Sequence, residues 1–461
     1  MRRHFNRAVT DSAFSISLAL LAAICLACPT PASAHGYRLL YTFCQAGGDC
    51  PDGQGPSGGL VEDGSGNLYG VTYSGGASKY YGVAYELERA AKGRYAYHVI
   101  YNFGATLEDA LEPGGSLILD TAGNLYGTSG YGGAGEYGLG TVFELMPNKR
   151  HDKWTEKLLY SFCSQTNCND GGLPMTLTYA GAASGALYDG KSPLFGITAG
   201  FGGEGATAPS TAYDVQPGTG FQLLHTFGSR GDGAGAYGPL VEDASGNLYG
   251  ATVQGGSDTT NAGVLYELSP AKNSYTETIL HTFCPGYPCA DGSQPESGVT
   301  MDASGNLYGT TYYGGADCSV DGDIGCGVAF MLKPDGISSK ETVLRTFCSS
   351  KHCADGVNPF GPLLLDAQGN IFGTTLLGGN KVAPYGGGTL FEVSGSTFQV
   401  LHKFCHYPFY GGSCTDVTDG FYPNGALIRD GKGRLFGTTF YGGAGQTASY
   451  SGNGVVFELV P

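Results

Sequence analysis

The stretch Gly-Asn-Leu-Tyr-Gly-Thr-Thr at residues 305–311 recurs in modified form along the whole chain of 461 residues. Its centre is leucine or isoleucine, followed by tyrosine or phenylalanine and then by glycine. The seven copies of this centre begin at Leu68, Leu125, Leu194, Leu248, Leu307, Ile371 and Leu435. Self-similarity at a nearly constant period is typical of solenoids, propellers and arrays. We therefore expect seven units of similar structure.

A second marker, a phenylalanine at the end of a largely apolar run, recurs in phase with the first. Its positions are Phe43, Phe103, Phe162, Phe227, Phe283, Phe347 and Phe404, spaced by 56 to 65 residues. Each unit contains four stretches rich in β-branched and aromatic residues, and no segment of helix length has a 3.6-residue apolar period. In the fourth unit they are residues 239–243, 247–252, 263–268 and 276–283. Four antiparallel strands repeated seven times predict an all-β, seven-bladed β-propeller.

The phase of the repeat at the two ends of the chain predicts how the ring closes. Residues 37–43 match the fourth strand of a unit, whereas residues 454–459 match the third strand. The last unit therefore lacks an outer strand of its own. We predict that the N-terminal strand completes this blade, so that blade 7 consists of residues 422–461 plus 37–43.

The first 34 residues have the features of a secretory signal peptide. A basic start at Arg2 is followed by an apolar stretch over residues 13–27 and by Ala-Ser-Ala immediately before His35. This order of features is typical of signals that are removed from the exported protein. We expect a signal peptide over residues 1–34 and one propeller domain over residues 35–461.

The sequence also restricts the location of the protein and the class of partner that it can bind. Export predicts a secreted, periplasmic or cell-surface protein, and lipoprotein anchoring at Cys28 is disfavoured because Cys25 replaces the usual aliphatic residue. No later stretch approaches the ~20 apolar residues of a membrane-spanning helix. The formal net charge of −16 repels nucleic acid, so nucleic-acid binding is not expected.

The cysteines beyond the signal fall into six close pairs. The pairs are Cys44 with Cys50, Cys163 with Cys168, Cys284 with Cys289, Cys318 with Cys326, Cys348 with Cys353, and Cys405 with Cys414. Five pairs begin directly after the marker phenylalanine. Where Gly104 or Gly228 takes the first position, the second cysteine is missing too. This pairing indicates local disulfides in an oxidising compartment, and the spacings required for a structural zinc site are absent.

The repeat resembles the "choice-of-anchor" tandem-repeat GloVer family of exported bacterial proteins. That unit reads approximately Asp-Gly-x-x-Pro-x-x-Leu-x-x-Asp-x-x-Gly-Asn-Leu-Tyr-Gly-Thr-Thr-x-x-Gly-Gly. Residues 60–76, 117–133 and 299–315 show the second part of this pattern with the same internal spacing. A more distant similarity connects the unit with NHL-type propeller repeats. The resemblance implies an exported repeat protein and no particular chemistry.

Acidic residues recur in the units and have two interpretations. One series lies in the loops between units, at Asp52, Asp109, Asp170, Asp232, Asp291, Asp355 and Asp419. A ring of carboxylates would suit a cation, whereas an aspartate in every blade is more typical of a turn-capping residue. We interpret the series as turn caps. By the same repeat logic, His225, His281 and His402 are interpreted as residues of the outer strands rather than as ligands.

Positions that break the repeat are better candidates for a functional site, since a site acts once per molecule. The fifth unit alone carries a loop, residues 317–326, that contains Asp317, Asp321 and Asp323. This loop is interpreted either as a solvated acidic loop or as a Ca²⁺ site. No other cofactor is predicted.

Aromatic residues in the loops are candidates for ligand binding, because exposed rings with polar edges suit glycans and peptides. The alternative is that these rings fill the wedge between blades. The candidates are Tyr131, Phe201, Tyr313, Tyr407, Phe409 and Tyr441.

These features together predict a monomeric, exported binding, adhesion or scaffold module rather than an enzyme. Its loop face would be presented to a carbohydrate or to another extracellular polymer or protein. The alternative is a propeller enzyme, either a lyase or a glycan-active hydrolase, that uses carboxylates in the channel.

Overall fold

The computed structural model is built almost entirely from β-strands. It describes residues 36–45, 48–135, 137–203, 206–228, 232–256, 260–272, 274–315, 319–320, 323–334, 339–379, 386–404, 418–443 and 453–461. The helical residues among these form 3-10 turns at Ala91–Gly93, Thr166–Cys168, Ala182–Ser184 and Lys351–Cys353. No helix in these ranges is long and apolar enough to cross a membrane.

The first four blades use consecutive strands of the chain. Strand β1 (Gly36–Thr42) stands apart and belongs to the last blade. Blade 1 contains β2 (Gln54–Glu62), β3 (Leu68–Ser74), β4 (Val83–Arg89) and β5 (Tyr95–Asn102). Blade 2 contains β6 (Ala110–Leu119), β7 (Leu125–Gly132), β8 (Thr141–Pro147) and β9 (Trp154–Ser161). Blade 3 contains β10 (Thr178–Tyr179), β11 (Leu194–Thr198), the loop hairpin β12 (Phe201–Gly203) and β13 (Ala206–Ala208), β14 (Thr211–Gln216) and β15 (Gly220–Thr226). Blade 4 contains β16 (Gly233–Glu242), β17 (Leu248–Gly255), β18 (Val264–Pro270) and β19 (Tyr275–Thr282).

The remaining blades continue the same antiparallel order. Blade 5 contains β20 (Val299–Met301), β21 (Leu307–Thr311), the loop hairpin β22 (Ser319–Val320) and β23 (Asp323–Ile324), β24 (Val328–Lys333) and β25 (Lys340–Thr346). Blade 6 contains β26 (Val357–Leu365), β27 (Ile371–Leu377), β28 (Thr389–Ser394) and β29 (Thr397–Lys403). Blade 7 contains β30 (Ile428–Arg429), β31 (Leu435–Thr439) and β32 (Val455–Val460). The predicted seven-bladed propeller is confirmed.

The ring closes through the N-terminal strand, as the phase of the repeat predicts. Strand β1 pairs antiparallel with β32, in a register that runs from Gly36 opposite Val460 to Thr42 opposite Val455. The sheet order of blade 7 is β30, β31, β32 and β1. The outer strand of the last blade therefore comes from the other end of the chain, which confirms the predicted closure.

The glycine of the first marker is required for space. Gly70 lies on the second strand of blade 1, and a Cβ atom placed there would lie 2.5 Å from the hydroxyl of Tyr85 on the third strand. The backbone at Gly70 is not left-handed, so crowding alone excludes a side chain. The six equivalent glycines face an aromatic ring of their own third strand in the same way: Gly127, Gly196, Gly250, Gly309, Gly373 and Gly437.

The marker phenylalanine packs on that same third-strand ring, but from the preceding blade. The rings of Phe43 and Tyr85 have centroids 5.2 Å apart. Equivalent pairs occur at all seven interfaces, with centroid distances of 4.8 to 5.3 Å. The two sequence markers therefore stay in phase because they meet in one cluster that joins neighbouring blades. These phenylalanines are nearly inaccessible to solvent, and burying each contributes roughly 2–3 kcal/mol.

Candidate binding site on the loop face and in the channel

Disulfides and aspartates organise the loops that connect one blade to the next. Cys44–Cys50, Cys163–Cys168, Cys284–Cys289 and Cys348–Cys353 form four of the six predicted disulfides. Cys326 is also disulfide-bonded. Cys318, Cys405 and Cys414 lie outside the described residues. We call the surface that carries these loops and the Gly-Gly loops the loop face.

Six of the seven recurrent aspartates of these loops accept hydrogen bonds from backbone N–H groups, as the interpretation from the sequence as turn caps requires. Asp170 accepts hydrogen bonds from the backbone N–H groups of Ser164 and Gln165 at 3.0 and 3.3 Å. Backbone N–H groups also donate to Asp52, Asp109, Asp232, Asp291 and Asp355. These carboxylates therefore stabilise their own turns, although those of Asp232, Asp291 and Asp355 also contact a side chain of the preceding outer strand.

The central channel is lined by one position that differs in every blade. This position follows a proline in six blades and Ala236 in blade 4, and it lies in or just before the inner strand. Its residues are Ser57, Gly114, Met175, Tyr237, Glu296, Phe360 and Asn424. They line a cavity of about 290 Å³, together with residues such as Tyr73 and Glu112. The scaffold is sevenfold, whereas this ring of side chains is not.

Three polar groups give the channel its chemical character. Burial raises the pKa of Glu296 from 4.5 to about 7, so that this carboxyl group titrates near neutral pH. The Oε2 atom of Glu112 and the Oδ1 atom of Asn424 are buried, and neither has a hydrogen-bond partner among the described residues. The channel therefore combines apolar walls with a few convergent polar atoms, a composition typical of ligand sites.

A second cavity of about 550 Å³ lies on the loop face between blades 1 and 2. Its walls carry Tyr131 and Tyr137, which are 39% and 45% exposed, as well as the exposed side chain of Leu107. Glu108 and Glu112 supply its charge. Because Glu112 lines both this cavity and the channel, the cleft leads toward the channel mouth. We call this cavity the Tyr131 cleft.

The aromatic residues that the sequence analysis selected differ in their exposure and contacts. Tyr131 is exposed in the cleft. Tyr313 is half-buried against Tyr312, with ring centroids 4.6 Å apart, and Tyr441 stacks on Phe421 at 5.3 Å. Of Phe201 and the calcium candidate Asp323 only the backbone is described, in β12 and β23. The other candidates lie outside the described residues: Tyr407, Phe409, Asp317 and Asp321.

The outer rim contains a further set of contacts that the sequence analysis missed. Each of these contacts joins the outer strands of two neighbouring blades. The first residue lies two positions before the marker phenylalanine of one blade. The second residue lies six positions before the marker phenylalanine of the next blade. Four interfaces place an aromatic ring at the second position, as in the stacking of Tyr160 on Phe221 at 4.1 Å. The other three place a glutamate there: Glu156, Glu277 and Glu341. Burial is the main cause that raises the pKa values of these glutamates, to about 7, 8 and 7 respectively. Counting along the outer strands from the marker would have revealed this register.

The stability of the fold is expected to decrease between pH 5 and pH 8, in part through Glu156. Burial, with a contribution from the charge of Asp109, raises the pKa of Glu156 from 4.5 to about 7, although hydrogen bonds from Tyr101 and the Ala110 backbone lower it. A group with a raised folded-state pKa contributes stability below its unfolded pKa, and this contribution is lost as the pH rises through the folded pKa. We measure the free energy of unfolding in urea at pH 5 and at pH 8. From the lower to the higher pH, we expect it to decrease by about 1–3 kcal/mol more for the wild type than for Glu156→Gln. Equal losses would contradict this assignment.

Comparison with solved structures supports the fold. The extracellular domain of a hybrid two-component system from B. thetaiotaomicron is 10% identical with a TM-score of 0.50, and the match covers 92% of this chain and 39% of that one. A luciferin-regenerating enzyme is 10% identical with a TM-score of 0.43, over 93% and 95% of the two chains. A puromycin-hydrolysing peptidase from Mycobacterium tuberculosis is 9% identical with a TM-score of 0.47, over 84% and 50%. At this identity the likeness to the extracellular domain concerns the fold alone, and the other two structures, with TM-scores below 0.5, add nothing to it.

Sequence comparison is more specific. No curated protein sequence matches the chain significantly. A family model described as the Gloeobacter/Verrucomicrobia repeat matches residues 30–192 and 183–444, which together span nearly the whole propeller. The resemblance of the repeated unit to the GloVer family is thus confirmed, and the chain belongs to the Gloeobacter/Verrucomicrobia repeat family.

Proposed function

We propose that the protein is an exported binding module that holds an extracellular polysaccharide in the Tyr131 cleft. The observation that carries this proposal is the concentration of exposed rings beside one cavity. Most aromatic side chains of the described residues are buried or half-buried in or between blades. In contrast, Tyr80, Tyr131 and Tyr137 expose large parts of their rings in neighbouring loops of blades 1 and 2.

Exposed tyrosine rings suit sugars for a physical reason. A ring offers a flat apolar surface to the C–H face of a sugar, while the hydroxyl group at its edge forms hydrogen bonds. The cleft is open along the loop face and continues toward the channel mouth, so an extended chain fits it better than a small compact ligand does. The disulfides Cys44–Cys50 and Cys163–Cys168, in other loops of the loop face, are consistent with an extracellular setting.

The charge of the cleft restricts the class of polysaccharide. Glu108 and Glu112 line it, no lysine or arginine does among the described residues, and the whole chain has a formal net charge of −16. A uronic-acid polymer would meet like charges at this surface. We therefore propose a neutral or amino-sugar polysaccharide as the ligand.

The channel arrangement favours binding over catalysis. Glu296 has the raised pKa of a general acid, but burial alone causes that shift and no neighbouring carboxylate contributes to it. Glycoside hydrolysis usually requires two carboxyl groups within about 10 Å of each other. Glu112 is the other carboxylate among the described residues that line the channel, and its charge does not contribute to the raised pKa of Glu296. The enzyme alternative has less support from the geometry than the binding module has.

A glycan array and a pull-down on insoluble cellulose, curdlan and chitin test the proposal. We expect the wild type to bind a neutral or amino-sugar polymer and not alginate. Tyr131→Ala and Tyr137→Ala are each expected to weaken binding about tenfold, the equivalent of about 1.4 kcal/mol for one lost stacking contact.

The matched control is Tyr287→Ala, since Tyr287 is 68% exposed but lies in the loop that leads from blade 4 to blade 5. It is expected to bind like the wild type. Tyr131→Phe retains the ring and should keep most of the affinity. The proposal fails if no neutral or amino-sugar polymer binds, or if the two cleft variants bind as well as the control.

A further inference from the structure

Three side chains with metal-binding chemistry meet at the interface of blades 3 and 4. His225 lies in β15, Asp232 immediately precedes β16, and Glu277 lies in β19. The Nε2 atom of His225 is 3.6 Å from Asp232 Oδ2 and 3.7 Å from Glu277 Oε2. One ligand atom from each residue lies within 4.8 Å of the other two.

These side chains are largely removed from solvent. The exposed fractions of the His225, Asp232 and Glu277 side chains are 19%, 8% and 13%. The Nε2 atom of His225 and the Oε1 atom of Glu277 are buried without a hydrogen-bond partner among the described residues. Buried polar atoms without partners are costly, and the carboxylates of Asp232 and Glu277, which have oxygen atoms within 4.8 Å of each other, repel each other when both are charged. A divalent cation among the three groups would satisfy both requirements.

The equivalent histidines at other interfaces show a different geometry. The Nε2 atom of His281 lies 3.2 Å from Asp291, and that of His402 lies 3.0 Å from Asp419, both within hydrogen-bonding distance. The corresponding distance at His225 is longer than a hydrogen bond. Ligands bound tetrahedrally at about 2.0–2.1 Å from a zinc ion are separated by roughly 3.4 Å, which is close to the separations at His225.

We propose that His225, Asp232 and Glu277 bind one divalent transition-metal ion of the Zn²⁺ class between blades 3 and 4. One nitrogen and two oxygen ligands suit Zn²⁺, and a water molecule would complete its tetrahedral coordination. The N–H of Gly233 donates to Asp232 Oδ1 at 2.6 Å and orients that carboxylate. The ion would link the outer strands of two blades.

The position of the proposed site gives it a structural role. Gly228 follows the marker phenylalanine here, where most other interfaces have the first cysteine of a disulfide. The sequence contains no cysteine between Cys168 and Cys284, so this loop has no disulfide of its own. A metal ion would therefore stabilise the loop that lacks a covalent link.

Titration calorimetry with ZnCl₂ on chelator-treated protein tests the proposal, and visible spectroscopy with Co²⁺ gives a second readout. We expect one equivalent of Zn²⁺ to bind the wild type and a Co²⁺ absorption band in the visible range. Glu277→Gln, which keeps the shape of the side chain, and His225→Ala are each expected to weaken Zn²⁺ binding at least about 100-fold. His281→Ala, the matched variant of the next interface, should bind like the wild type.

The alternatives have distinct outcomes. Circular dichroism before titration shows whether each variant is folded, and Glu277→Gln preserves the test if His225→Ala does not fold. The proposal is overturned if the wild type binds no Zn²⁺, if it binds Ca²⁺ in preference, or if folded Glu277→Gln binds Zn²⁺ as tightly as the wild type does. An effect of His281→Ala equal to that of His225→Ala would also overturn it.

Discussion

A chain that starts at Phe43 is expected to lose at least about 5 kcal/mol of its free energy of unfolding, which is a large fraction of the value for a typical domain. The truncation removes β1 and leaves β32 with an unpaired edge. It also removes Tyr37, whose ring stacks on His402 at 4.0 Å and on Phe457 at 5.6 Å. Urea unfolding followed by circular dichroism, relative to residues 36–461, measures the loss.

Complementation by a peptide distinguishes ring closure from a general effect of truncation. A synthetic peptide of residues 36–42, added in excess, is expected to restore part of the lost stability because it can pair with β32. A scrambled peptide of the same composition is the control and should have no effect. If the truncated chain unfolds at the same urea concentration as the longer chain, the N-terminal strand does not hold the ring together.

Gly70→Ala is expected to destabilise the fold by about 2–3 kcal/mol. The new Cβ atom would lie 2.5 Å from Tyr85 Oη and 3.1 Å from Leu60 Cδ2. Both residues are buried, so the ring of Tyr85 cannot move into solvent. Overpacking of a dense core typically costs about 1–3 kcal/mol, and Tyr85 also joins blade 1 to Phe43. The free energy of unfolding in urea measures the effect.

Gly64→Ala provides the matched control in the same blade. A Cβ atom at Gly64 would have no neighbour within 4 Å, and the backbone there is not left-handed. This substitution is expected to change the free energy of unfolding by less than about 0.5 kcal/mol. Equal effects of the two substitutions would show that crowding against Tyr85 is not the reason for the repeated glycine.

The fold could be predicted from the sequence because its determinants are local and repeated. Gly70 and its six equivalents make room for a ring, and Phe43 and its equivalents pack on that ring, so both markers recur in a constant phase. The same phase, followed to the ends of the chain, was sufficient to predict the pairing of β1 with β32. The residues that form each contact therefore recur once in every unit of the sequence.

The candidate sites could not be predicted in the same way, because they depend on residues that meet only in the folded ring. Tyr131 was recognised by its type, but its cleft also requires Leu107 from another loop. Glu296 and Asn424 occupy equivalent positions with unlike side chains, so the repeat pattern conceals them. The repeat favours the interpretation of His225 as an outer-strand residue, and its neighbours Asp232 and Glu277 lie in the next unit, so the sequence alone does not bring the three together.

The central claim is that repeated residues build the scaffold, whereas the exposed rings beside the channel bind the ligand. Parallel measurement of thermal unfolding and of binding to insoluble polysaccharide, on Gly70→Ala and Tyr131→Ala, tests it most directly. We predict that Gly70→Ala lowers the Tm by about 2–3 °C, while Tyr131→Ala keeps the Tm within about 1 °C and binds about tenfold more weakly. The opposite pattern, in which Tyr131→Ala unfolds early and still binds like the wild type, would contradict the account.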